Sequence, residues 1–151
     1  MDAHERSRIL DLLPQRAPFR FVDELLEIDR DHVLCKYTFR QDEFFYSGHF
    51  PGEPVTPGVI LIEAMAQGVA LHAMYLLSLD VASAEVGHHR ALLTDVQVEF
   101  RKPVYPRQTV YARADAVAWR FKKLRSRVEL RDESSALLAS GILSGMGVVR
   151  A

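Results

Sequence analysis

GVILIEAMAQGVALHAMYLLSL, residues 58–79, decides how this chain is read. It is long and apolar enough to raise the question of a membrane span. Glu63 and Gln67, however, stand four residues apart on one helical face, and His72 falls on roughly the opposite side. Polar residues on two faces fit a helix buried inside a protein. With a rise of about 1.5 Å per residue the segment runs about 30 Å, enough to cross a small domain as its central element. Pro57 precedes it, and Asp80 follows before a small-residue, His-containing loop.

On either side the chain reads mostly as strand. Residues 19–28 and 32–39 mix aromatic and β-branched residues with charges, with DRD at 29–31 as the turn. Beyond the helix, residues 91–100 alternate Val96, Val98 and Phe100 with Gln97 and Glu99, and Pro103 and Pro106 then break the run. Residues 110–121, 124–130 and 136–149 supply three more strand-like stretches, with RDESS at 131–135 as a turn. Residues 4–13 read as a short amphipathic helix stopped by Pro14. Two strands, one long helix and four strands give the α+β class, a sheet wrapped around one buried helix. One small sheet leaves an open edge, so pairing with a second copy is expected.

The 151 residues, 48% of them hydrophobic, suit a single domain spanning 1–151. A net charge of -1 and the lack of a lysine-rich tract point away from nucleic acid and anionic membranes. The charge is unevenly spread: residues 1–100 carry eight Lys/Arg against sixteen Asp/Glu, and residues 101–151 carry eleven against four. The basic C-terminal third reads either as ordinary solvated strand faces or as a docking patch for an acidic partner. Cys35, the only cysteine, excludes an internal disulfide and reads as a core residue of a protein in a reducing compartment. MDAHERSR at the start has no apolar run of the secretory kind, so a cytoplasmic setting is expected. Adjacent His88 and His89 have no evident Cys or carboxylate partners, so no metal is assigned and both are expected in solvent.

The chemistry concentrates in YSGHFPGEPVTPG, residues 46–58, where glycine and proline are too dense for an ordinary connection. Gly48 permits unusual backbone angles beside His49, and Pro51, Pro54 and Pro57 restrict the path into the helix. The first N–H groups of that helix, Gly58 foremost, lack intrahelical acceptors and lie at the positive end of its dipole. Glu63 follows in an apolar stretch, where desolvation favours its protonated form. A base, an acid and an oxyanion donor are what removal of a proton beside a thioester carbonyl, with loss of a β-hydroxyl, requires. Taken singly, a loop histidine is more often structural and a buried glutamate more often a bonded core residue.

These residues resemble the β-hydroxyacyl-acyl carrier protein dehydratases of the FabZ type. LPQRAPFRFVDELLEID at 13–29 is similar to that family's opening segment, GHFPGEPVTPGVILIEAMAQ at 48–67 to its active-site loop and helix, and FRKPVYP at 100–106 to its third strand. The resemblance implies a hotdog fold, assembled as a homodimer or a trimer of dimers, and an activity that needs no cofactor. It implies that His49 takes the C2 proton and that Glu63, from the neighbouring subunit, handles the departing 3-hydroxyl. The Gly58 N–H would bind the thioester oxygen, and the Val55 carbonyl would orient the His49 ring. Gln67 would position the Glu63 carboxyl or simply pack. Phe50, Pro57 and Val59 would line an acyl tunnel.

Four departures from the family pattern stand out. Gln15 replaces a common histidine, Thr56 a frequent methionine, Arg107 a turn glycine, and WRFKKLR at 119–125 lacks glycines that often join the following strands. Glu rather than Asp at 63 favours a simple dehydratase over a dehydratase-isomerase. The partner implied is acyl carrier protein bearing a 3-hydroxyacyl chain, in fatty acid, lipid or polyketide synthesis. Such carriers are acidic, and Arg101, Lys102, Arg120, Lys122, Lys123 and Arg125 are candidates to dock one. Two rivals stand beside this reading: a hotdog acyl thioesterase, and a noncatalytic subunit that completes the site of a second dehydratase-like chain.

Overall fold

The structure, a computed structural model, describes residues 1–150. Helix α1 (Ala3–Leu10) opens on a capping box in which the Asp2 carboxylate accepts the Glu5 N–H and the Glu5 carboxylate accepts the Asp2 N–H, both at 2.9 Å. Strands β1 (Glu24–Ile28) and β2 (His32–Thr38) follow, then helix α2 (Gly58–Asp80) and the short α3 (Ser83–Val86). Strands β3 (His89–Phe100), β4 (Thr109–Arg120), β5 (Lys123–Arg131) and β6 (Leu137–Val149) complete one six-stranded antiparallel sheet. Its order is β1-β2-β4-β5-β6-β3.

This α+β sheet wraps α2. Alternate residues of β2 (Val33, Cys35, Tyr37) and β5 (Leu124, Val128, Leu130) point inward and are buried. Against them α2 buries fourteen of its 23 residues, Leu61, Met65, Val69 and Leu71 among them. The helix has the length and hydropathy of a membrane span, yet most of it lies inside the fold.

Two polar side chains of the helix hold parts of the chain that the sheet does not. The Gln67 amide nitrogen donates to the Phe19 carbonyl at 2.9 Å, and its oxygen accepts the Phe21 N–H at 2.7 Å. Residues 19–23, expected as strand, are irregular: the Phe19 carbonyl and Phe21 N–H are satisfied by a side chain, and only at Asp23, whose N–H donates to the Lys36 carbonyl at 2.8 Å, does the chain join β2. On another face the buried His72 ring donates through Nε2 to the Asp29 carbonyl at 2.8 Å, anchoring the β1–β2 turn.

Further details depart from expectation. Gly48 has no positive φ; the left-handed residue of the loop is Gly52, at φ 73°. His89 is buried, its Nδ1 2.8 Å from the Glu85 carbonyl and its Nε2 2.9 Å from the Lys122 amine, whereas His88 is exposed. Where the sequence lacks turn glycines, ordinary side chains take the left-handed backbone: Phe121 (φ 52°) and Lys122 (φ 62°) form the β4–β5 turn, and Arg107 has φ 72°.

Strand β3 is the edge beside which the site lies, and it is not blunted. Leu92 (55% exposed), Leu93, Val96 and Phe100 (48% exposed) leave it apolar as well as unpaired. On its inner side it approaches β6 so closely that a Cβ added at Gly141 would lie 1.9 Å from the Gln97 carbonyl oxygen and 2.8 Å from the Val98 Cα. Gly141→Ala is therefore expected to lower stability by about 3 kcal/mol in urea unfolding. Gly48→Ala, which meets nothing within 4 Å, should stay within about 0.5 kcal/mol of wild type.

Candidate active site

The loop before α2 holds His49 by its own backbone. The Val55 N–H donates to the His49 carbonyl at 3.0 Å, and the His49 ring donates from Nδ1 to the Val55 carbonyl at 2.9 Å. A carbonyl only accepts, so the proton sits on Nδ1 and Nε2 keeps its lone pair. Phe50 and Glu53 close the intervening turn by mutual backbone bonds of 3.2 and 2.9 Å, with Gly52 at its tip. The Thr56 N–H, bonded to the Val104 carbonyl at 2.8 Å, fastens the far end of the loop to the segment after β3.

His49 is half-buried in a cleft of about 350 Å³ whose walls include Val55, Thr56, Gly58, Phe100, Arg101 and Lys102. Gly58 begins α2 with no side-chain cap, so its N–H precedes the first available helical acceptor. A Cβ here would come within 3.1 Å of the Phe100 ring, which covers the helix start. Thr56 gives the cleft a hydroxyl, bonded at 2.7 Å to the buried Tyr46 phenol. Of the expected tunnel residues, Pro57 is buried, while Phe50 and Val59 remain exposed and line no part of this cleft. Phe50 instead stacks on the His49 ring, centroids 4.1 Å apart.

Glu63 lies in a different hollow of the same chain, of about 40 Å³, lined by Gln15, Ala66, Val69, Leu92 and Leu93 among others. Gln67 donates to Glu63 Oε1 at 3.0 Å, so its positioning and structural roles are combined in one side chain. Burial holds the Glu63 carboxyl above the usual carboxylate range, with the Gln67 hydrogen bond opposing it. The two halves of the suspected machinery thus sit at opposite stretches of β3: His49 by Phe100, Glu63 by Leu92 and Leu93.

The basic residues do not form one patch. Arg101 and Lys102 flank the His49 cleft, with Arg101 3.4 Å from Glu99. Lys123 and Arg125 both reach Asp95, at 3.4 and 3.5 Å, and Arg120 lies 5.6 Å from the centre of the Phe121 ring. Lys122 faces His89 at the opposite end of β3 from Arg101. Cys35 is buried, its thiol pushed up to about 12, and offers no nucleophile.

A single antiparallel sheet around one long helix, with a histidine loop at the helix start, defines the hotdog class. The chain belongs to the FabA-like domain family, whose model matches residues 13–128. It is 39% identical over 145 residues to a 3-hydroxyacyl-(acyl-carrier-protein) dehydratase FabZ from Thermus thermophilus, covering 91% of this chain and 94% of that one. Identity rises to 43% over 102 residues with the same-named enzyme of Desulfotalea psychrophila, covering 65% and 63%. Against several curated relatives the chain spans between 21% and 67% of their length. Among solved structures, the dehydratase heterocomplex ApeI:P from Xenorhabdus doucetiae superposes with a TM-score of 0.76 at 18% identity, covering 92% and 90%. Thioesterases also share the fold, so fold alone does not separate water expulsion from thioester hydrolysis.

Holding a carboxyl half-buried costs stability once it ionises. Because the folded pKa lies above the ordinary 4.5, the unfolded chain gives up this proton first, and stability declines as pH rises from that value through the folded pKa. Glu63→Gln, which keeps the acceptor for Gln67, should raise Tm at pH 7 by about 2 °C, and the difference should close as pH falls toward 4.5 in calorimetry.

Proposed function

We propose that the protein is a 3-hydroxyacyl-acyl carrier protein dehydratase, a hydro-lyase that expels water to leave a trans-2-enoyl thioester. The observation that carries this reading is the His49 imidazole, tied through Nδ1 to the Val55 carbonyl, in the cleft that Gly58 at the start of α2 also lines. His49 Nε2 takes the C2 proton of the substrate. Charge that gathers on the thioester oxygen is met by the Gly58 N–H at the positive helix end. The C3–O bond then breaks, its electron pair leaves with the oxygen, and a protonated Glu63 supplies the second hydrogen of the departing water. Solvent afterwards returns the proton from His49 to Glu63, so no cofactor is consumed.

The acid comes from a second copy. The apolar, unpaired edge of β3 needs a cover, and a twofold that continues the sheet pairs β3 with itself antiparallel, about its middle near Val96. The Phe100 end of one protomer then lies beside the Leu92–Leu93 end of the other, joining each His49 cleft to the partner copy's Glu63 hollow. Val59 and Phe50 are covered by the same step and become tunnel walls. Arg101 and Lys102 remain at the mouth, where an acidic acyl carrier protein bearing the substrate docks in the cytoplasm.

Mass spectrometry of 3-hydroxyacyl carrier protein after incubation should show a loss of about 18 Da with wild type, and at least about a hundredfold slower conversion with His49→Ala or Glu63→Gln. Release of free acid with the mass of the intact acyl chain would identify a thioesterase instead. The shared site has its own test. When the two inactive variants are unfolded together and refolded in equal amounts, half of the dimers are mixed, each with one intact site, so about a quarter of wild-type activity should return. No recovery would mean that His49 and Glu63 act within one chain. Activity only after adding a second dehydratase-like protein would indicate a heterodimeric enzyme.

A further inference from the structure

The hollow beside Glu63 contains one buried hydrogen-bonding atom with nothing to bond. The Gln15 carboxamide oxygen is buried without a partner. Glu63 is served on Oε1 by Gln67, while Oε2 has no partner among the described residues. Leaving an acceptor buried and unpaired, as the Gln15 oxygen is, costs on the order of 1–3 kcal/mol, so a group that supplies its hydrogen bond is worth seeking. The side-chain walls between them are otherwise apolar: Ala66, Val69, Ala70, Leu92 and Leu93. Its volume of about 40 Å³ exceeds the roughly 10–15 Å³ that one ordered water needs, and two polar partners are the minimum such a water requires.

We propose that Gln15 completes the acid end of the site: its carboxamide oxygen accepts a hydrogen bond from the departing 3-hydroxyl and holds the water formed there until the enoyl product leaves. The inference rests on the dehydratase reading. As the C3–O bond breaks, the oxygen keeps its own hydrogen and takes a second from Glu63 Oε2; one of these points to Gln15. The nascent water therefore has a donor on one side and an acceptor on the other, and the apolar walls discourage its escape into the acyl cleft. A histidine at this position would also offer an acceptor, since a neutral imidazole carries one lone pair.

Gln15→Leu removes the acceptor at similar size. It should lower kcat for carrier-bound substrate about tenfold, the worth of one hydrogen bond, with KM changed less than about twofold. In the free enzyme a water between the two groups would accept the Glu63 proton's hydrogen bond and pass one on to Gln15, so losing Gln15 also favours the carboxylate, and the alkaline limb of the pH–kcat/KM profile should move to lower pH. Gln15→His should return kcat to within about threefold of wild type, and Gln15→Leu should have no further effect in a Glu63→Gln background. Gln15→Met serves for the same comparison should the leucine variant not fold. The inference is overturned if the apolar variants keep wild-type kcat and an unmoved alkaline limb, or if histidine does no better than leucine. A wild-type protein that forms no enoyl product would bring down the dehydratase reading beneath it, which is a different result from an active enzyme indifferent to position 15.

Discussion

A 23-residue helix that is apolar around most of its circumference, with one sheet to cover it, is the constraint on which the rest of the structure depends. Each leucine or methionine of α2 that the sheet encloses contributes about 1.5–3 kcal/mol, so the six strands curl to reach as much of the helix as they can. They do not reach all of it. Val59 stays 71% exposed at the helix start, and the apolar β3 edge runs alongside. The part of the helix left open is the part next to which His49 and Glu63 are set.

Polar groups on such a helix must be paired, and each of the three here is paired differently. Gln67 uses its oxygen and both N–H groups of its amide on Phe21, Phe19 and Glu63, and so builds the irregular opening segment into the core. His72 fixes the β1–β2 turn through one nitrogen and keeps the other as a lone pair away from water, which burial makes resistant to protonation. Glu63 alone keeps an oxygen without a partner. Burial with one bonded oxygen leaves this carboxyl favouring its protonated form.

The histidine loop is rigid for a reason its composition only partly suggests. Glycine and proline bend it, but what fixes His49 is reciprocity between two residues: Val55 donates a backbone N–H to His49 and accepts the His49 ring proton. The expected backbone freedom at Gly48 is not used, and Gly52 takes the left-handed turn. Likewise the basic character of the C-terminal third is real, yet it is dispersed: Asp95 draws in Lys123 and Arg125, His89 takes Lys122, and Glu99 takes Arg101.

By itself the sequence determined the α+β class, the long helix, five of the six strands to within about two residues and the residues worth watching, because hydrophobic period and Gly/Pro placement are local properties. What only tertiary structure decided was non-local. Gln67 reaches back 46 and 48 residues to hold the irregular backbone at Phe21 and Phe19, and Gly141 lets two strands approach where no side chain fits. Tertiary structure also separated Glu63 from His49 within one chain, although they stand fourteen residues apart in sequence. Spacing along a chain sets which residues can share a helix face, but which surface each one opens onto depends on what the rest of the chain has already covered.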